Sequence, residues 1–190
     1  MKRHLTLVAL AMAGASRIVY ADSDATARFI ACKAVVFEHP LHSMLVAFPL
    51  ALFTTSLLFD LVHLRRRDPF WSRAALFLIL VGLAGGIAAA MSGFLDYFLA
   101  LPARGEAHEV AQTHLLIMTP VLAVFTISAI LRWNMGKPSS RARLLLTGLS
   151  MAAVTTMMVG SWYGGHLVYE HRVGVAAMEH EHGMDHDHHD

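Results

Sequence analysis

Apolar residues gather in four runs, at residues 43–62, 74–99, 115–131 and 144–168, and charged residues are concentrated outside them. A bilayer core needs about 20 such residues per helix. None of the runs alternates in the two-residue rhythm of a barrel strand. The pattern therefore predicts an all-α polytopic membrane protein, a four-helix up-down bundle with short loops. Small residues four apart mark the second and fourth runs: Gly82 and Gly86, Ala89 and Gly93, Gly160 and Gly164. That spacing lets helices approach closely. Pro49 and Pro120 lie one to two turns into the first and third runs, where they bend a membrane helix. Trp71, Trp133 and Trp162 fall near run ends, as an interfacial belt requires.

Composition supports this reading. Of 190 residues, 56% are hydrophobic and 15% charged, and the mean hydropathy is +0.51. Soluble domains carry roughly 25% charged residues, so a soluble enzyme and a basic nucleic-acid module are both excluded. The single cysteine, Cys32, cannot form an intrachain disulfide. Histidine is the anomaly, with 13 residues against 15 Lys plus Arg.

Charge sets the expected sidedness. Arg65, Arg66, Arg67 and Arg73 follow the first run, and Arg132, Lys137, Arg141 and Arg143 follow the third. The other side carries only Arg28, Lys33, Arg104 and Arg172. The positive-inside rule then places both termini outside, which in a bacterial inner membrane is the periplasm. Lys2, Arg3 and the apolar stretch to Ala15, ending at Val19-Tyr20-Ala21, read as a signal peptide over residues 1–21. Residues 22–38 form an outer N-terminal segment, 39–175 the four-span domain, and 176–190 a disordered His-rich tail.

With that orientation the histidines collect on one face. His39 and His42 sit at the mouth of the first span, His108 and His114 lead into the third, and His166 and His171 close the fourth. Asp96 stands near the outer end of the second. The tail adds His180, His182, His186, His188 and His189, interleaved with carboxylates. Ionisable residues in a membrane segment mark a functional site. His39 and His42, three apart, share a helix face if the first helix extends outward.

The two halves also read as a repeat. His42 precedes Pro49 much as His114 precedes Pro120. Met91-Ser92-Gly93-Phe94-Leu95-Asp96-Tyr97 matches Met158-Val159-Gly160-Ser161-Trp162-Tyr163. Two spans per half make the repeat parallel, with a twofold axis along the membrane normal. His42 and His114 then become equivalent residues on diagonal helices, facing each other across the bundle.

Three functions are consistent with these residues. In the first, His42 and His114 are axial ligands of a b-type haem in an electron carrier, assisted by His166. In the second, His39, His42, Asp96, His108, His114, His166 and His171 hold copper or zinc, fed by the tail, which would itself bind transition metal. In the third, the chain is a cofactor-free scaffold. No nucleophile motif, Gly-rich phosphate loop or hydrolase-type acid pair points to an enzyme. The expected partners are the lipid bilayer and either a redox protein or a second copy of the chain.

Certain residues also carry a resemblance. His39-Pro40-Leu41-His42, Phe48-Pro49, Leu58-Phe59-Asp60, Ser92-Gly93-Phe94-Leu95-Asp96, and Gly164-Gly165-His166-Leu167-Val168-Tyr169 with Val173-Gly174-Val175 resemble an uncharacterised bacterial membrane-protein family, domain of unknown function 2231. The resemblance runs from about His39 to Val175, with Arg172 where the family typically has Gly. It implies a four-span inner-membrane protein. Some members are joined to Rieske-type iron–sulfur domains, which points toward electron transfer.

Overall fold

The computed structural model describes residues 33–36, 39–136 and 139–175. The proposed signal peptide, Cys32 and the His-rich tail, with His180, His182, His186, His188 and His189, lie outside the described residues. A two-residue strand β1 (Val35–Val36) pairs antiparallel with β2 (His39–Pro40). Five helices follow: α1 (Leu41–Leu45), α2 (Ala47–Arg66), α3 (Pro69–Leu99), α4 (Glu106–Met135) and α5 (Ser140–Tyr169). Helices α1 and α2 run on as one span, Leu41–Arg66, so the chain has four helices long and apolar enough to cross a membrane. The interruption at Val46 has a simple cause. Pro49 has no N–H to give to the Leu45 carbonyl four residues back.

Local chemistry fixes the ends. Arg67 takes the left-handed conformation that closes α2 (φ 56). Asp68 then caps α3, its carboxylate accepting from the Phe70 N–H at 2.9 Å, and Pro69 opens that helix. The His63 Nδ1 donates to the Asp68 carbonyl at 2.8 Å and fastens this tight turn. Ser139 caps α5 through the Ala142 N–H. Hydroxyls within the spans, such as Thr54 and Thr55, return hydrogen bonds to carbonyls four residues back, which satisfies them without leaving the helix.

The helices pack up-down, α2 against α3 and α4 against α5, with α3–α4 and α2–α5 closing the bundle. Buried positions alternate four and three apart, as in Pro49, Phe53, Ser56, Asp60 and His63. That rhythm is the seam of a left-handed bundle. The opposite faces are apolar too: Phe77, Phe98, Trp133, Leu145 and Trp162 are all well exposed. Helices apolar all round belong in lipid, so the outer surface meets the bilayer.

The repeat is present in the packing. Moved by 72 residues, the separation of Asp60 and Arg132, Pro49, Phe53, Ser56, Leu57 and Asp60 of α2 fall on Val121, Phe125, Ser128, Ala129 and Arg132 of α4, all of them buried. Moved from Ala75 to Leu146, the buried Ile79, Gly82, Leu83, Gly86 and Ala89 of α3 fall on Ser150, Ala153, Val154, Met157 and Gly160 of α5, again all buried. This register corrects the motif alignment read from the sequence, by one helical turn at the glycines and by one residue at the prolines. Gly93 corresponds to Gly164, not Gly160, and Pro49 corresponds to Val121, not Pro120. Seam position, rather than residue identity, is what the halves share.

Along the axis the halves meet in layers. His42 and His114 face each other with ring centroids 6.1 Å apart. Phe53 stacks on Phe125 at 3.9 Å and 10°. Ser56 and Ser128 are fully buried. Asp60 pairs with Arg132 through two hydrogen bonds, at 2.6 and 2.7 Å.

Candidate functional site

The histidine end is built by symmetry. His42 sits at the start of the first span, and its Nδ1 lies 2.7 Å from the Ala89 carbonyl of α3. His114 holds the equivalent place in α4, with its Nδ1 2.8 Å from the Gly160 carbonyl of α5. A carbonyl can only accept, so each Nδ1 carries the hydrogen and donates it. The remaining nitrogen of each neutral ring, Nε2, holds a lone pair. A backbone carbonyl behind the ring is the usual partner of a metal-ligating histidine, fixing its tautomer and raising its basicity.

Glycine makes room for both rings. A Cβ at Gly93 would stand 2.7 Å from the His42 Nδ1, and one at Gly164 3.2 Å from the His114 Cε1. In each half the ring therefore lies flat against the next helix, one turn beyond the carbonyl that orients it.

The separation of the rings is chemically informative. Metal–nitrogen bonds of about 2.0–2.1 Å on opposite sides of one ion, plus half of each imidazole, put ring centres roughly 6 Å apart. The observed 6.1 Å, with planes at 85°, is of that order and is equally the separation of an edge-to-face ring contact.

The other sequence candidates are distributed differently. His39 lies in β2, exposed, and so is off the helix face proposed for it with His42. Asp96 is buried, and its Oδ1 accepts from the Lys33 and Ala34 backbone N–H groups at 2.7 and 3.1 Å. It thus ties the N-terminal segment to α3. His108 shares a hydrogen bond with the Tyr97 hydroxyl at 3.0 Å. His166 and His171 meet edge to face at 5.3 Å, with Trp162 stacked on His166. No three His, Cys, Asp or Glu among the described residues converge as a metal would require. The seven proposed metal ligands therefore do not gather in one set, and His42 and His114 are the pair that meets across the bundle, with ring planes at 85°.

At the opposite end, Arg132 is not the loop cation that its place after the third run suggests. It is instead buried in α4, its guanidinium bidentate to Asp60, with Nε on the Ser128 hydroxyl at 3.1 Å. The signal was available: Asp60 and Arg132 occupy matched seam positions in an otherwise apolar environment.

Fold and site together define a four-span membrane bundle with a pair of imidazoles meeting at one end. The chain belongs to the family described as predicted membrane protein, domain of unknown function 2231, whose profile matches residues 38–177. Neither a curated protein nor a solved structure matches it.

Proposed function

We propose that the bundle is a small electron-transfer subunit that binds one b-type haem between His42 and His114. The observation that carries this reading is the matched pair of rings. Each is fixed by a backbone carbonyl, with no partner at its Nε2 among the described residues, at a spacing compatible with two ligands on one ion. Two imidazoles would suffice to hold a haem. A zinc site would want three or four protein ligands, and the described residues assemble no such set.

When bound, haem would supply a one-electron couple, with the His42 and His114 rings holding it. The chain's own residues do the rest. The Ala89 and Gly160 carbonyls hold the rings and enrich their electron density. Apolar side chains below the site exclude water, with Met118 against Gly160 and Leu122 against Gly86. The positive-inside rule places this end outside, with both termini periplasmic in a bacterial inner membrane. A soluble redox partner would reach it there.

Expression with haem supplementation, purification and a reduced-minus-oxidised spectrum test the reading. A low-spin b-type band supports it, and a purified protein with no haem absorbance rejects it. The glycines give a graded check. Gly93→Ala forces the His42 ring to move, whereas the Gly164→Ala contact lies within a few tenths of an ångström of tolerance. Haem affinity should fall about 10–100-fold in the first, the range for disturbing a ligand's support, and less in the second. The reverse order would contradict the geometry.

A further inference from the structure

The other end of the bundle carries a second site. A cavity of about 60 Å³ opens there, lined by Asp60, Ser72, Arg73, Arg132, Arg143 and Thr147, with His63 beside them. At roughly 15 Å³ per water-sized position, it holds about four such positions, the scale of a tetrahedral oxyanion. All four spans contribute, through the end of α2, the start of α3, the end of α4 and the start of α5.

Its charge is not balanced from within. Asp60 is the only carboxylate in the lining, and both its oxygens are engaged by Arg132. That pair is the one salt bridge among the described residues. Arg73 and Arg143 therefore leave an excess of two positive charges, and Ser72 and Thr147 add hydroxyl-bearing side chains to the same lining. Arg143 is already oriented, its Nη2 donating to the Ser140 hydroxyl at 2.9 Å. The first turns of α3 and α5 add their positive dipole ends.

The internal symmetry breaks here. At the histidine end the halves agree: ring with ring, carbonyl with carbonyl, glycine with glycine. Around this cavity the equivalent residues differ in kind. Asp60 stands against Arg132, Ser72 against Arg143, and Leu76 against Thr147. The apolar seam shows the same register in both halves, so the divergence is local and concentrated on polar lining.

We infer that this cavity binds a phosphate-type oxyanion, clamped between Arg73 and Arg143 beside the Asp60–Arg132 pair. Guanidinium forks match the oxygens of such a group. The site lies where the basic segments meet the headgroup region, so the oxyanion comes either from an anionic phospholipid or from solution. Basic pockets between membrane helices bind lipid headgroups in this way. The inference is independent of what the histidine end holds.

Two measurements on the full chain separate the sources. Orthophosphate is titrated against thermal stability in detergent, and retention of phosphatidylglycerol against phosphatidylcholine is read by native mass spectrometry from nanodiscs. Stabilisation by orthophosphate identifies a soluble anion, and selective retention of phosphatidylglycerol identifies a headgroup; each supports the site. The Arg73→Gln/Arg143→Gln variant should bind the responding probe about tenfold or more weakly, as loss of two charge-assisted contacts requires. The control variant Arg65→Gln/Arg66→Gln, altered at exposed positions that do not line the cavity, should bind within about twofold of the native chain, because exposed charges that make no contact with the anion are screened by solvent and salt. No response to either probe, or equal weakening in both variants, overturns the inference.

Discussion

Replacing Arg132 with Leu should destabilise the bundle by about 3–5 kcal/mol, the cost of leaving a buried carboxylate without its partner. Asp60 and Arg132 are 3% and 7% exposed at their side chains, and their bidentate contact spans 72 residues of sequence. Lipid outside the bundle offers an unpaired charge no solvation. The repeat adds a sharper expectation. Positions 60 and 132 are equivalent about the twofold axis, so the charge-swapped variant Asp60→Arg/Arg132→Asp should recover most of the loss. An arginine at 60 has Ser56 four residues back, as Arg132 has Ser128. It lacks a counterpart of Ser150, because the equivalent residue in α3 is Ile79. The swap should therefore remain about 1 kcal/mol below the native chain, the worth of one hydrogen bond. Unfolding in mixed detergent measures all three proteins. A swap no more stable than Arg132→Leu would contradict the twofold relation at this layer.

The second large effect is expected at the other end. His42→Ala and His114→Ala should each lower haem affinity by at least 100-fold, a larger loss than the 10–100-fold typical of altering a ligand's outer support. By symmetry the two losses should be similar in size. Each truncation also leaves a small void beside glycine, at Gly93 or Gly164. Free imidazole should enter that void and restore six-coordinate absorption, whereas a merely structural role would not respond to added ligand. Equal haem binding in native and both variant proteins would remove these residues from the site.

Much of the architecture was legible from hydropathy, because a bilayer demands long apolar runs and leaves little freedom in how they are joined. The run at 115–131 became a helix from Glu106 to Met135, since helices continue through the headgroup layer where charged residues no longer oppose them. His42 facing His114 was also legible, because parallel two-span repeats must bring equivalent residues together at the axis. What escaped the sequence was of two kinds. The Ala89 and Gly160 carbonyls orient the rings, but backbone groups leave no mark on residue identity. The buried pairing of Arg132 and the backbone partners of Asp96 leave no mark on position along the chain. Arg132 faces the seam, and Asp96 receives the N–H groups of residues 33 and 34; only the packed structure shows either.

Whether two symmetry-related imidazoles share one ion is read by titrating the purified native chain with haemin. The expected result is saturation at one haem per chain with the absorption of six-coordinate, low-spin iron. Saturation at another ratio, a high-spin five-coordinate product, or no saturable binding would contradict it.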